Sequence, residues 1–389
     1  MGLYTPPPER PGDPPAPAEI LSGRTSSAAS PVIFGNRTSV QVNVDAAGNN
    51  IVGDAANEPS MAISSADPKK IAIGWRQFDS ISSNFRQAGV GHSINGGQTW
   101  TSTGPLDAGR FRSDPVLASD GFGNLYYSSL TITDLDVFEV SVFKSTDGGA
   151  TWPTSTYAFG GDKQWIAADE RAVGVGAGHL YQNWTTVTSC CGPVDFTRSI
   201  DGGSSFQEPL FLPYPLVLHG TLDTDSTGTL YLGGRAWYGY PNHVFMRSLD
   251  AKNPAVTPTF ETTSFVDLGD FTGGFFGTED PNPAGLWGQT WIAAHPFKTG
   301  HVYMLNSVQH ASDSTDVMFA RSIDGGQSWS PPRRVNDDPE GNGAWQWFGA
   351  MSVAPNGRID VTWNDSRTTG QANLSAVFYA YSLDEGQTW

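Results

Sequence analysis

The chain has 389 residues, with 39 Asp or Glu against 22 Lys or Arg and a formal net charge of −17. That excess of negative charge argues against nucleic acid or an anionic membrane surface as a partner. No apolar run is long enough for membrane insertion as a spanning helix, and the sequence offers no His-x-x-x-His or cysteine cluster for a catalytic zinc, no phosphate loop and no Gly-x-Ser-x-Gly elbow.

Residues 1–35 are dense in Pro, Ala and Ser, as in Pro14-Pro15-Ala16-Pro17. They read as a linker or disordered arm. No basic segment followed by an apolar stretch is visible there, so no signal peptide is expected in this chain. Residues 36–389 read as one all-β domain: short β-rich runs separated by Gly, Asn and Asp turns, 45 Gly and 13 Trp in the whole chain, and no sustained helical periodicity. Ser39-Val40-Gln41-Val42-Asn43-Val44 alternates as a strand. Six pairs of apolar strands follow, at 60–63 with 71–75, 116–118 with 125–127, 165–168 with 179–184, 221–223 with 230–233, 291–294 with 302–305, and 351–353 with 359–363.

An octapeptide punctuates these pairs. It reads Ser145-Thr146-Asp147-Gly148-Gly149-Ala150-Thr151-Trp152 and recurs from Ser93 to Trp100, Ser199 to Phe206, Ser322 to Trp329 and Ser382 to Trp389. A worn copy, Ser248-Leu249-Asp250, sits in the widest gap. Asp or Asn accepts bonds from its own turn, the glycines supply positive φ, and the closing aromatic packs between sheets. A repeat of this period means a propeller, solenoid or array. These octapeptides resemble the Asp-boxes of sialidase-like propellers, over roughly residues 38–389. The resemblance implies a six-bladed β-propeller with Asp-box turns on the face opposite the binding site. The sixth blade reaches only its third strand at Trp389, so the segment 39–44 is expected to close the ring as the missing strand, covering an exposed edge.

With the boxes at the bottom, the top is made by starts of first strands and ends of second strands. Those positions carry Glu58, Arg76, Asp79 and Arg86, then Arg112 and Asp114, then Asp162 and Lys163. They continue with His219, Arg235, Trp237 and Tyr238, and with Trp347, Asp365 and Arg367. Guanidinium forks, carboxylates and indoles at one mouth suit a polyol or sugar acid. Packing and structural ion pairs are the competing account of each residue taken singly.

Compared residue by residue, the family's first carboxylate-binding arginine, in an Arg-Ile-Pro stretch, is replaced here by Asn57-Glu58-Pro59. Asp79 is the nearest match to its general acid and Arg235 to its blade-four arginine. The blade-four Glu and the last-blade Tyr nucleophile have no counterpart at His219-Gly220-Thr221 or Trp345-Gln346-Trp347-Phe348. The resemblance therefore implies the fold and an oligosaccharide or glycoconjugate partner, without the full sialidase machinery. Glu58, Asp79, Asp114, Asp162 and Asp365 remain candidates for a two-carboxylate hydrolase, and His219 with Tyr238 and Arg235 for a lyase. A non-catalytic carbohydrate-binding or adhesion module and a structural or assembly subunit are the alternatives. No cofactor is implied; calcium has no loop signature.

The two cysteines are adjacent, Cys190-Cys191. They are either free thiols or a vicinal disulfide. The oxidised form is favoured, with an extracellular or periplasmic setting.

Overall fold

The computed structural model describes residues 14–15, 24–186, 188–213, 217–236, 243–269, 281, 288–309, 314–371 and 374–389. Every regular element among them is a β-strand. The chain forms two compact units, Met1–Phe211 and Leu212–Trp389.

The first unit holds three antiparallel sheets. Sheet one is Ala55–Ile63, Ile71–Phe78 and Arg86–Ser93; sheet two is Ser113–Ser119, Leu125–Ile132, Phe138–Ser145 and Ser155–Tyr157; sheet three is Asp162–Ala168, Leu180–Thr185 and Phe196–Ser199. The second unit repeats the pattern. Sheet four is Val217–Thr224, Leu230–Ala236, His243–Ser248 and Glu261–Val266; sheet five is Trp291–Ala294, Val302–Val308, Asp316–Ser322 and Arg333–Arg334; sheet six is Gln346–Val353, Ile359–Asp365 and Ala376–Ser382. The strand pairs expected from sequence are the first two strands of these sheets: Ile63 faces Ile71, Val116 faces Ser128, Thr221 faces Gly233 and Met351 faces Val361.

The two-residue period of a strand explains how sheets stack within a unit. Tyr126 and Tyr127 are both fully buried and point opposite ways. Tyr127 packs with Ala72, Val90 and Leu117 toward sheet one, and Tyr126 with Val140, Ile166 and Leu180 toward sheet three. Tyr303 and Met304 divide in the same way between the cores shared with sheets six and four.

The octapeptide turn follows the third strand. In Ser145–Trp152 the Ser145 hydroxyl donates to Asp147 (2.8 Å) and accepts from Gly149 N (2.8 Å), while Asp147 accepts from Thr151 N (3.0 Å). The copies at Ser199, Ser322 and Ser382 repeat these bonds. The second glycine abuts the preceding sheet. A Cβ on Gly326 would stand 1.9 Å from Phe245 Cε1, and one on Gly386 2.1 Å from Phe319 Cε1. Trp329 and Trp389 then meet the same two rings edge-on, at centroid distances of 5.1 and 5.2 Å. The worn copy is complete in three dimensions. Ser248 bonds Asp250 (2.9 Å), and Asp250 accepts from Thr259 N (2.8 Å), nine residues on instead of four. An insertion between Asp250 and Thr259 hides the motif without breaking it.

The amino-terminal region departs from expectation. The alternating segment 39–44 is not a strand. Arg37–Ser39 pairs with Val32–Phe34 in a hairpin, and Val44 makes a single bridge to Asn50. Val42 instead lies on sheet one, with its carbonyl 3.1 Å from where a Gly91 Cβ would stand. No strand among the described residues pairs with the outer edge of Ala376–Ser382. The hairpin, turned at Gly35-Asn36, takes only Ser39 of the alternating segment. Ser26–Ser27, inside the stretch read as an arm, pairs with Asn50–Ile51.

Gly97 and Gly326 occupy the same place in their turns, with φ of +84° and +85°. A Cβ on Gly97 meets nothing closer than Trp100 Cζ2 at 3.7 Å. Gly97→Ala should therefore cost only the left-handed backbone penalty, about 1 kcal/mol, whereas Gly326→Ala should cost about 3 kcal/mol or more through overpacking. Urea denaturation of both variants measures this; equal losses would show that contact with the neighbouring sheet is not what demands the glycine.

Candidate functional site

First strands begin with a repeated distortion. The register slips between Asn57 and Ser60, Ser113 and Val116, Asp162 and Trp165, Leu218 and Thr221, and Trp347 and Ala350. In every case the residue inside the slip is not glycine yet is left-handed: Glu58 (φ 51°), Asp114 (48°), Lys163 (51°), His219 (48°) and Phe348 (53°). A bulge re-aims the side chain at the end of a ladder. Holding a non-glycine residue there costs roughly 1–2 kcal/mol, which marks such positions as candidates for function. The bulges lie at the opposite end of the first strands from the octapeptide turns.

In the first unit three bulges build one charged cluster. Arg76, on the second strand of sheet one, pairs with Glu58 (2.7 Å) and donates from Nε to Asn57 (2.9 Å). Lys163 pairs with Asp114 (3.0 Å), whose other oxygen accepts from Ser113 (2.8 Å). Gln164 donates to the main-chain carbonyl of Asp114. Burial pushes the Asp114 carboxyl up, but the Lys163 ammonium and the Arg76 guanidinium outweigh it and hold the group below its ordinary range. The cluster carries two acids and two bases and sums to zero charge.

The other predicted residues of this unit sit around it. Asp162 opens the first strand of sheet three, opposite Thr185. Asp79 is buried, accepting from Gln87 (3.3 Å) and lying beside Arg24, which also donates to its carbonyl. Arg86 donates to Asn84 (3.0 Å) and covers the Phe111 ring. Arg112 has no exposed side chain; it pairs with Asp107 (2.7 Å) and lies 5.2 Å above Phe143. Cys190 and Cys191 form a vicinal disulfide, and no described cysteine is free.

In the second unit the predicted residues do not gather in the same way. His219 is buried at its bulge, and its carbonyl accepts from Thr290 N (3.0 Å). Arg235 lies across from Leu218 and His243 in the ladder. Burial first, and then the Arg235 charge, lower the His243 imidazole to about 4, and Asn306 contacts its Nε2 at 2.9 Å. Trp347 is buried. Asp365 is wholly buried, bound by Trp363 Nε1 (2.8 Å) and Arg367 (2.7 Å). Arg367 also reaches Asp337 and Asp338 and lies 4.5 Å over Phe378. Trp237 and Tyr238 lie outside the described residues.

Sequence reading named four of the five bulge residues and missed Phe348 by one position. It also missed the supporting residues Ser113, Gln164 and Asp107. The usable signal was the alignment of strand starts, where Glu58-Pro59 and Asp114-Pro115 share an acid followed by proline.

The Lys163–Asp114 pair has a defined pH signature. A group with a depressed native pKa contributes stability above its unfolded value, here 3.8, and loses that contribution as pH falls through the native value. The stability gap between the wild type and Asp114→Asn should be full near neutrality and close below pH 3.8. Lys163→Met, which leaves the buried acid unpaired, should cost about 3 kcal/mol near neutrality. Urea denaturation across pH measures both, and a gap that widens below pH 3.8 would contradict the assignment.

No protein-family profile and no curated protein sequence matches the chain. Solved structures do. A protein of unknown function from Dyadobacter fermentans DSM 18053 is 13% identical with a TM-score of 0.50, covering 85% of this chain and 97% of that one. An intramolecular trans-sialidase from leech, solved with 2,7-anhydro-Neu5Ac, is 12% identical with a TM-score of 0.51, covering 84% of this chain and 68% of that one. At these identities the likeness concerns fold, and the fold is that of a sialidase-like β-propeller.

Proposed function

We propose that the chain is a six-bladed sialidase-like propeller with Asp-box turns that recognises an uncharged glycan through Glu58, Arg76, Asp114 and Lys163, as a binding module and not a hydrolase. The observation that carries this reading is the pairing of each cation with an acid at 2.7 and 3.0 Å. A sugar hydroxyl donates to a carboxylate and accepts from a guanidinium or ammonium at once, so it can bridge such pairs without breaking them. A sialic acid carboxylate would bring a third negative charge to a partly buried group of two acids and two cations, which leaves one charge without a counter-ion.

Glycoside hydrolysis asks for a protonated acid beside an ionised carboxylate, both facing the scissile bond. Asp114 is held ionised, while Asp79 and Asp365 are buried in hydrogen bonds of their own. The vicinal disulfide supports an extracellular or periplasmic setting. A second reading, an assembly subunit, is favoured by one observation: Val377, Tyr379 and Tyr381 leave an exposed apolar face on the last strand of sheet six.

Calorimetric titration with neutral and sialylated oligosaccharides, alongside a fluorogenic sialoside assay, tests the proposal. The expected outcome is binding of a neutral glycan, weakened about tenfold in Asp114→Asn, with no sialoside turnover. Sialoside turnover that disappears in Asp79→Ala would restore the family chemistry and sink the binding-module reading. No binding to any glycan would leave the assembly reading in its place.

A further inference from the structure

We infer that the loop bearing Cys190–Cys191 is the positioning element for the Lys163–Asp114 pair, and that reducing its disulfide uncouples the pair from the rest of the unit. Only the functional consequence rests on the pair being the glycan site; the mechanical coupling is independent of it.

The loop is tied to sheet two along its backbone. Phe138 N donates to Thr188 O (2.8 Å), Cys190 N donates to Phe138 O (2.9 Å), and Phe138 with Ser189 forms a parallel bridge. Phe138 is no free edge, since it is buried with Phe85, Phe111 and Leu130. Left-handed residues, Thr188 and Gly192, stand on either side of the cysteines at φ 57° and 65°. Tyr157 directs its hydroxyl at Cys190 Sγ from 3.5 Å.

Ser189 carries the coupling. Its hydroxyl accepts from Cys191 N (3.1 Å) and donates to the carbonyl of Gly160 (2.7 Å). Gly160 and Gly161 have no slack to absorb a displacement. A Cβ on Gly160 would stand 2.2 Å from Val140 Cγ2, and one on Gly161 2.5 Å from Trp184 Cδ1 and 3.0 Å from Ser189 Cβ. These glycines lead directly into Asp162, Lys163 and Gln164. Lys163 then reaches Asp114 by its ammonium, and Gln164 reaches the Asp114 carbonyl. The vicinal ring fixes the peptide between Cys190 and Cys191, and Cys191 N is the group from which the Ser189 hydroxyl accepts while it donates to Gly160. Opening the ring frees the two side chains to rotate separately and lets the Cys191 N bond to the Ser189 hydroxyl break, while the backbone bonds to Phe138 remain.

A phosphine performs the reduction with balanced chemistry. Phosphorus attacks one sulfur, the S–S bond breaks, and the other sulfur leaves as a thiolate that takes a proton. Water then displaces the phosphorus-bound sulfur, giving the second thiol and the phosphine oxide. Two electrons pass from phosphorus to the disulfide.

Backbone hydrogen–deuterium exchange of the full chain, oxidised and after treatment with tris(2-carboxyethyl)phosphine, tests the inference without any glycan. Exchange in peptides spanning 158–168 should become about tenfold faster on reduction, with Val302–Val308 unchanged. Ser189→Ala, with the disulfide intact, should produce the same local acceleration. Unchanged exchange at 158–168 in both would overturn the inference. So would general acceleration under the reductant while Ser189→Ala leaves 158–168 unaltered. Titration of the oxidised protein with neutral oligosaccharides runs alongside: no binding there would remove the glycan reading and leave the exchange result standing.

Discussion

Gly326 has no side chain because Phe245 occupies the place where one would stand. The same exclusion operates at Gly386 against Phe319, and more loosely at Gly203 against Tyr126. Ser, Asp and Thr of the octapeptide satisfy one another and the turn amides, and the glycine carbonyls accept from the neighbouring sheet, Gly326 from Ser264 (2.7 Å) and Gly202 from Lys144 (2.9 Å). The closing indole then lies against the same aromatic ring. The turns at Ser145, Ser199, Ser322 and Ser382 thus bind the end of a third strand to the preceding sheet within their unit. The copy at Ser248 shows which part is indispensable. It gained an insertion but kept the Asp250 to Thr259 bonds.

The bulges at the other end of the first strands use backbone differently. Five of them share one conformation and carry Glu, Asp, Lys, His and Phe. A position that recurs in shape but not in chemistry is not dictated by packing. The fold supplies the direction, and the residue supplies the function. In the first unit the choice of residues yields alternating charge, and alternating charge fills its own needs before any ligand arrives.

Strand pairs and turns were legible in the sequence because both are local. Alternation and the Ser-x-Asp-Gly-Gly pattern need only a few neighbouring residues. The segment 39–44 defeated the same logic, since alternation states that a strand is favourable and not which partner it finds. The bulges were half legible. Their residues drew notice as charged groups at strand starts, but no propensity announces a left-handed Glu or Lys. A one-residue slip also moved the exposed aromatic from Trp347 to Phe348. The partner of Arg112 was not legible, because Asp107 sits in a loop whose path only the folded chain defines.

Asp365 shows how a carboxylate at a strand end can have a wholly structural origin. Trp75 and Trp363 occupy equivalent places opposite their bulges, and each indole N–H needs an acceptor two residues on. In sheet one the acceptor is Gln77 (2.6 Å), whose amide then donates to Asp54 (2.9 Å). A neutral amide requires no counter-ion. In sheet six the acceptor is Asp365, and a buried carboxylate does require one. Arg367 supplies it, drawing in Asp338, which in turn is held by Asn336 and Arg334. The ion network around Asp365 is therefore the electrostatic consequence of placing an acid where sheet one has an amide. Its position near other charged residues is accounted for by its bonds to the indole and the guanidinium. The Glu58–Arg76 and Asp114–Lys163 pairs differ in one respect that matters: Glu58, Asp114 and Lys163 stand on bulges, where the fold accepts backbone strain to aim them.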